Sequence, residues 1–337
     1  MSAPRSKSHP FDRYPTLFLM GMSGVGKTRL ARRLPRKDWF HYSVDYRIGT
    51  MYLAELINDD LKRMVFERDG ALSQLLRSDS IYLTHNITFD NLEPISKWLG
   101  GLGKATEPNA VPGHRRATTR FFDGLGHDPA IFAARQAVHA DAEIAAMLDC
   151  PAFIDKARAV YRYPYFIADT SGSVCDVIEM DQAADGTLVA RAGDPVLRMM
   201  RQQGLLIYIE APQSHRDALA QRNKDDPKPM FYRPEVLQAI ITEYLTVCGL
   251  DDPRAIHPAS FSQFAFGRLI DKRLARYRAV AAATGITVST ADITRITADD
   301  VQTEDFIAAL AELIDTALDQ QQPRGRGALS HANQNPR

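Results

Sequence analysis

The residues best suited to chemistry stand near the start of the chain, in G-M-S-G-V-G-K-T at Gly21–Thr28. This is the spacing G-x-x-x-x-G-K-[ST], directly after the apolar run Thr16–Met20 and directly before a helical stretch that starts at Lys27 and is stopped by Pro35. Backbone N–H groups can wrap a phosphate chain only where the chain turns tightly and comes close. Gly21, Gly24 and Gly26 permit that, with Ser23 and Val25 between them. Lys27 would reach the terminal phosphates, and Thr28 would put its hydroxyl on Mg²⁺. The helix that follows would turn its positive end toward the anion.

Two carboxylates close apolar runs farther on. Asp45 follows W-F-H-Y-S-V at Trp39–Val44, where it could orient or deprotonate the hydroxyl of a phosphoryl acceptor; its other reading is a cap or turn residue for the next helix. Asp169 follows Y-P-Y-F-I-A at Tyr163–Ala168 and is the candidate for holding Mg²⁺, with a polar T-S-G-S turn behind it. Arg222, Lys224 and Lys228 lie around two prolines in L-A-Q-R-N-K-D-D-P-K-P-M-F-Y, a segment suited to closing over phosphates, or else a solvated charged loop. The run G-G-L-G-K at Gly100–Lys104 lacks the first glycine, the Ser or Thr and a preceding strand, so it reads as a loop.

Five apolar runs alternating with amphipathic segments predict a parallel sheet wrapped by helices. The runs are 16–20, 39–44, 163–168, 205–210 and 286–290. Helices are expected over 27–34, 50–68, 130–148, 195–203, 212–223, 234–248, 260–283 and 303–318. Two stretches, 86–129 and 176–194, break the alternation, and the first reads as an insertion with some helix of its own. Residues 1–13 and 320–337 have the composition of disordered ends, which leaves one domain over 14–319 with an insertion at about 86–150. At 337 residues, 45% hydrophobic, the chain has material for a large core, which excludes collagenous and wholly disordered classes. Lys plus Arg number 41 and Asp plus Glu 41, so no overall field draws a polyanion or an acidic membrane, and any basic site must be local. Cys150, Cys175 and Cys248 stand apart without metal-ligand spacing. No run has the length of a membrane span and no signal peptide is seen, so a cytoplasmic protein is expected.

Taken together, these residues resemble a P-loop small-molecule kinase of the shikimate and gluconate kinase branch. The matching elements are the Walker A motif at Gly21–Thr28, Asp45 where that branch carries D-x-D, the glycine-containing turn at Asp169–Ser173, an R…P lid at Arg222–Pro229, and the closing strand and helix over 286–318. They cover about half of the chain, and only the Walker A is highly specific. Ser43 stands in place of the first Asp of D-x-D, Lys228 in place of the lid arginine, and the acceptor turn is shortened, which argues against shikimate itself. The whole chain is also similar to bacterial proteins described only as ATPases, which share stretches like N-I-T-F-D-N-L-E-P-I-S-K-W-L-G and D-T-S-G-S-V-C-D. The resemblance implies a three-layer α/β P-loop NTPase fold, a five-stranded sheet in the order 2-3-1-4-5 and a helical insertion after the second strand.

It implies ATP-dependent phosphoryl transfer to a small molecule, a metabolite or nucleotide that could be anionic. Lys27 and the loop would hold the β and γ phosphates, Thr28 and Asp169 the Mg²⁺, Asp45 the acceptor, and Arg222 with Lys228 the transition-state charge. The insertion carries Asn86, Asp90, Asn91, Lys97, His114, Arg115, Arg116 and Arg120 among Phe89, Trp98, Phe121 and Phe122, a set that could hold an anionic acceptor or be a solvated basic loop. Without a recognisable module, nucleic acid is the minority reading. The stripe R-L-I-D-K-R-L-A-R-Y-R at Arg268–Arg278 reads as a helix face in water. The rival function is an ATP-hydrolysing switch acting on a protein partner.

Overall fold

Strands buried on both faces have no polar side to alternate with, so they read as unbroken apolar runs. In the computed structural model, which describes residues 10–103, 126–225 and 230–321, the five runs are strands β1 (Thr16–Met20), β2 (Trp39–Ser43), β3 (Tyr165–Asp169), β4 (Leu205–Glu210) and β5 (Gly285–Ser289) of one parallel sheet. Their order across the sheet is β2-β3-β1-β4-β5. All residues of β1 and β3 are buried, whereas edge strand β5 alternates, with Ile286 and Val288 inward and Thr287 and Ser289 exposed. β3 begins after Pro164, which has no N–H to give a ladder, and it runs on to Asp169 itself. Asp169 is thereby in register with Leu19 of β1 and Ser43 of β2, so the ends of three neighbouring strands share one edge.

Helices α1 (Lys27–Arg33), α2 (Glu93–Leu99), α3 (Pro129–Leu148), α4 (Gln213–Asp225), α5 (Pro234–Cys248), α6 (Pro258–Thr284) and α7 (Thr303–Gln321) pack around the sheet. α6 meets β4 through Tyr277, whose ring stacks on Tyr208 at 5.5 Å. α7 buries Phe306, Leu310 and Ile314, one face at four-residue spacing, beside β5. A second apolar cluster, including Leu237, Ile241, Tyr244 and Phe261, binds α5 to α6 beside the sheet.

Four details differ from the expectation. The helix expected to end the insertion at Leu148 is followed by another, Cys150–Ala159, opened by Pro151 at its first turn, and its Phe153 lies 5.0 Å from the Tyr42 ring of β2. The helix expected from Thr50 starts as a π turn over Ile48–Tyr52 and becomes α-helical at Ala54. Residues 176–194 contain an antiparallel ribbon, Met180–Gln182 with Leu188–Ala190, turning at Asp185-Gly186 with φ +81° at the glycine. Within the stretch expected to be disordered, Phe11 is buried edge-on against Trp39 at 5.1 Å and Asp12 accepts a hydrogen bond from the Tyr165 hydroxyl at 2.7 Å. An apolar ring with a place in the core holds the start of the described chain. Among the described residues, no helix is long and apolar enough to cross a membrane.

Candidate functional site

The segment Gly21–Thr28 links the end of β1 to α1. Gly21 has φ +153°, and a Cβ there would stand 2.7 Å from the Ile209 carbonyl oxygen and 2.9 Å from Val25; Gly26 has φ +102°, with the Ile293 side chain 3.1 Å from where its Cβ would be. Both positions disfavour other residues by conformation, and Gly21 also excludes them by space, its clash being with backbone. Val25 is buried beneath the loop, while Ser23 and Gly24 face out. His215 of α4 lies over them, its Nε2 3.2 Å from the Ser23 carbonyl oxygen.

Lys27 is buried, and its ammonium donates to the carbonyls of Gly21 at 2.8 Å and Met22 at 3.1 Å. Burial pushes its pKa down, while the carboxylates of Asp169 and Asp45 pull it up. The Thr28 hydroxyl donates to Asp169 Oδ2 at 2.6 Å. Among the described residues, no group of three or more His, Cys, Asp and Glu gathers as metal ligands. Thr28 and Asp169 are instead a pair of hard oxygen donors beside a glycine cradle, which fits an ion that keeps several waters and takes its remaining ligands from phosphate.

Asp45 is half-buried. It does not cap the short helix Val44–Arg47, because Ser43 does so, accepting from the Tyr46 N–H at 3.3 Å. Its carboxyl is pushed up to about 6 by burial and by the charge of Asp169, with Lys27 acting the other way. A carboxylate so placed is a stronger base than aspartate in water and is still mostly ionised at neutral pH.

The turn after Asp169 is anchored by a residue that the motifs do not contain. Glu143 of α3 is fully buried and accepts hydrogen bonds from Ser173 at 2.8 Å and from Ser171. Burial pushes its carboxyl up to about 8. His139, one turn earlier on α3, is pushed down to about 4 by burial and by Arg273; its ring stacks on Phe231 at 5.1 Å. Gly172 at the centre of the turn accepts from the Tyr277 hydroxyl, and a Cβ there would lie 3.6 Å from the Ser23 nitrogen. The turn therefore abuts the glycine loop.

Behind this junction lies a cavity of about 240 Å³. Met22, Ser23 and Gly172 line the end nearest the glycine loop, Leu219, Arg222 and Asn223 of α4 one side, and Phe266, Ile270, Arg273 and Tyr277 of α6 the other. Arg273 is buried, paired with Asp176 at 2.6 Å, and donates to the Phe231 carbonyl at 2.8 Å. This corrects the reading of Arg268–Arg278 as a face in water. Arg268, Lys272 and Arg278 do reach solvent, but Arg273 points inward, and half-buried Arg276 bonds the Cys175 carbonyl at 2.8 Å.

The structure brings together Gly21, Ser23, Gly24, Val25, Gly26, Lys27, Thr28, Asp45 and Asp169 at the strand ends, with Arg222 exposed at the cavity rim. Lys228 lies outside the described residues, as do Lys104, His114, Arg115, Arg116, Arg120, Phe121 and Phe122 of the insertion. Several of its described members have local partners. Asn91 bonds the Asn86 carbonyl at 2.8 Å, Asp90 pairs with Arg32, Trp98 is buried under Arg135, and Phe89 stacks on Tyr46 at 4.7 Å. The run Asn223-Lys224-Asp225-Asp226 has the N-K-x-D spacing associated with guanine. Here Asn223 is buried on α4, bonded to the Ser262 carbonyl at 3.3 Å, rather than at a strand end. The signal for Glu143 was present in A-V-H-A-D-A-E-I-A-A, where His139 and Glu143 recur at i, i+4 among alanines on a core-facing helix. Comparison of the chain with protein-family models and with curated proteins found no match to either.

Proposed function

We propose that this domain is a P-loop NTPase and that it transfers the γ-phosphoryl group of ATP to a hydroxyl of a small molecule. The observation that carries the reading is the junction at Ser23 and Gly172, where the glycine loop that leads to Lys27 and to the Thr28–Asp169 pair borders a partly open cavity, with Asp45 near enough to Lys27 and Asp169 to feel their charges. A switch that only hydrolyses ATP has no need of such a cavity. Lys27 would leave the carbonyls of Gly21 and Met22 for phosphate oxygens. Thr28 and Asp169 would hold Mg²⁺, whose charge would offset that spreading over the transferred group. The acceptor oxygen would bond to the γ-phosphorus as the bond from phosphorus to the β,γ-bridging oxygen breaks. The hydroxyl proton would pass to Asp45, and ADP would leave. Zero net charge and three unpaired thiols accord with a cytoplasmic enzyme of small molecules rather than a partner of nucleic acid or membrane.

The test is turnover of ATP, and of GTP beside it, with Mg²⁺ in a pooled metabolite extract, wild type against Lys27→Ala, with a mass-spectrometric search for any species that gains a phosphoryl group. The expected result is a phosphorylated product that disappears in the variant. Consumption of nucleotide with only free phosphate released would favour the rival ATPase acting on a protein partner.

A further inference from the structure

The cavity beyond the glycine loop has two chemically distinct parts. Its apolar part is made by Met22, Leu219, Phe266 and Ile270, drawn from the loop, α4 and α6. Its polar part is cationic. Arg222 makes no ion pair among the described residues, and Arg273, with 7% of its surface exposed, is held on Asp176. Arg276, 3.6 Å from the same carboxylate, lies outside the cavity wall and donates to the Cys175 carbonyl. That leaves Arg222 as the uncompensated cation of the lining, beside an apolar wall and next to the Arg273 guanidinium, in a space of about 240 Å³. Pockets for larger ligands run to roughly 300–1,000 Å³, so the occupant here is compact. A polyhydroxylated ligand would leave its hydroxyls unpaired against the apolar wall, and a buried hydroxyl without a partner costs about 1–3 kcal/mol.

We infer that the occupant of this cavity is a compact, one-ring-sized organic acid with an apolar body, its anionic group facing Arg222 and Arg273 and its hydroxyl facing the glycine loop, and that sugar acids and nucleotides are excluded. The inference rests on the phosphotransfer reading only for calling that occupant the acceptor. The cavity, its apolar wall and its two arginines stand without it.

Binding is measured by calorimetry in the absence of nucleotide, with 3-(4-hydroxyphenyl)propanoate, gluconate and AMP as probes. The aryl acid should bind with a Kd below about 1 mM and at least about tenfold more tightly than gluconate or AMP. Arg222→Gln should weaken it about fivefold to tenfold. Ile270→Asn, which places an amide against the apolar wall, should weaken it by about tenfold or more. Should that variant fail to fold, Ser96→Phe fills the cavity from half-buried Ser96 on α2 and should block the aryl acid. The inference is overturned if gluconate or AMP binds as well as the aryl acid, if none of the three binds, or if the cavity variants leave aryl-acid binding unchanged. Its failure is separable from failure of the kinase reading. A phosphorylated sugar acid in the turnover experiment would keep the kinase and sink the cavity assignment, whereas aryl-acid binding without any phosphorylated product would do the reverse.

Discussion

The two halves of the site are built in different ways. The glycine-loop half is one contiguous segment, Gly21–Thr28, which under the proposed function would work largely through backbone N–H groups and whose shape follows from glycines at positive φ. The cavity half is assembled from residues of α2, α4, α6 and the Asp169–Ser173 turn, and behind it stand two buried polar anchors, Asp176 with Arg273 and Glu143 of α3 with Ser171 and Ser173. A backbone cradle needs few particular side chains to keep its shape. A cavity held by buried charges needs each partner, because removing one strands the other in a medium that solvates it poorly. Mutations should therefore separate the halves, with loop substitutions removing chemistry and sparing the fold, and anchor substitutions doing the opposite first.

The largest effect expected is on stability. Asp176→Ala leaves the Arg273 guanidinium buried without its carboxylate, and urea unfolding should report a loss of about 3–5 kcal/mol. Lys27→Ala should lower ATP turnover by about 10²–10³-fold yet cost no more than about 1–2 kcal/mol of unfolding free energy, since only two hydrogen bonds to loop carbonyls are lost. An equal loss of stability in the two variants would erase the contrast. Asp45→Asn should reduce turnover by about 10²-fold. In the wild type, kcat/KM should rise with pH through an inflection at about 6, as the Asp45 carboxyl ionises, and the Asn variant should lack that limb.

The smallest effect sharpens the contrast at Glu143. Its carboxyl titrates at about 8 in the fold against 4.5 in the unfolded chain, so folding favours its protonated form. That contribution is fully present below pH 4.5, declines as the pH rises and is lost above about 8. Glu143→Gln cannot ionise and still offers an oxygen to the serines. It should melt higher than the wild type at about pH 9 and no higher at about pH 4, with turnover lowered only a few-fold. A wild-type melting temperature that does not fall between those pH values would show that the buried carboxyl is not strained.

The glycine loop and its flanking strand and helix were legible because each of their signals is local. A motif, the strand before it and the helix after it are neighbours in sequence, and Asp45 and Asp169 stand where apolar runs end. The cavity half was not, because the hydrophobic period of α6 puts Arg273 on the inward face, and nothing in the local run says that Asp176, 97 residues earlier, waits there. Glu143 reads as one more charge on an alanine-rich helix until Ser171 and Ser173 are brought to it. Phe11 was missed for a related reason. Its polar neighbours set the composition of the segment, while one ring against Trp39 sets its conformation.

Sequence by itself determined the glycine loop, the apolar runs that must be strands and the carboxylates at their ends, because backbone conformation and hydrophobic period are written within a few residues. Tertiary structure decided which charges are buried, which serines share a carboxyl and that a cavity opens beside Ser23. Those outcomes depend on the desolvation and pairing of groups far apart in the chain, and such energies exist only once the elements have packed.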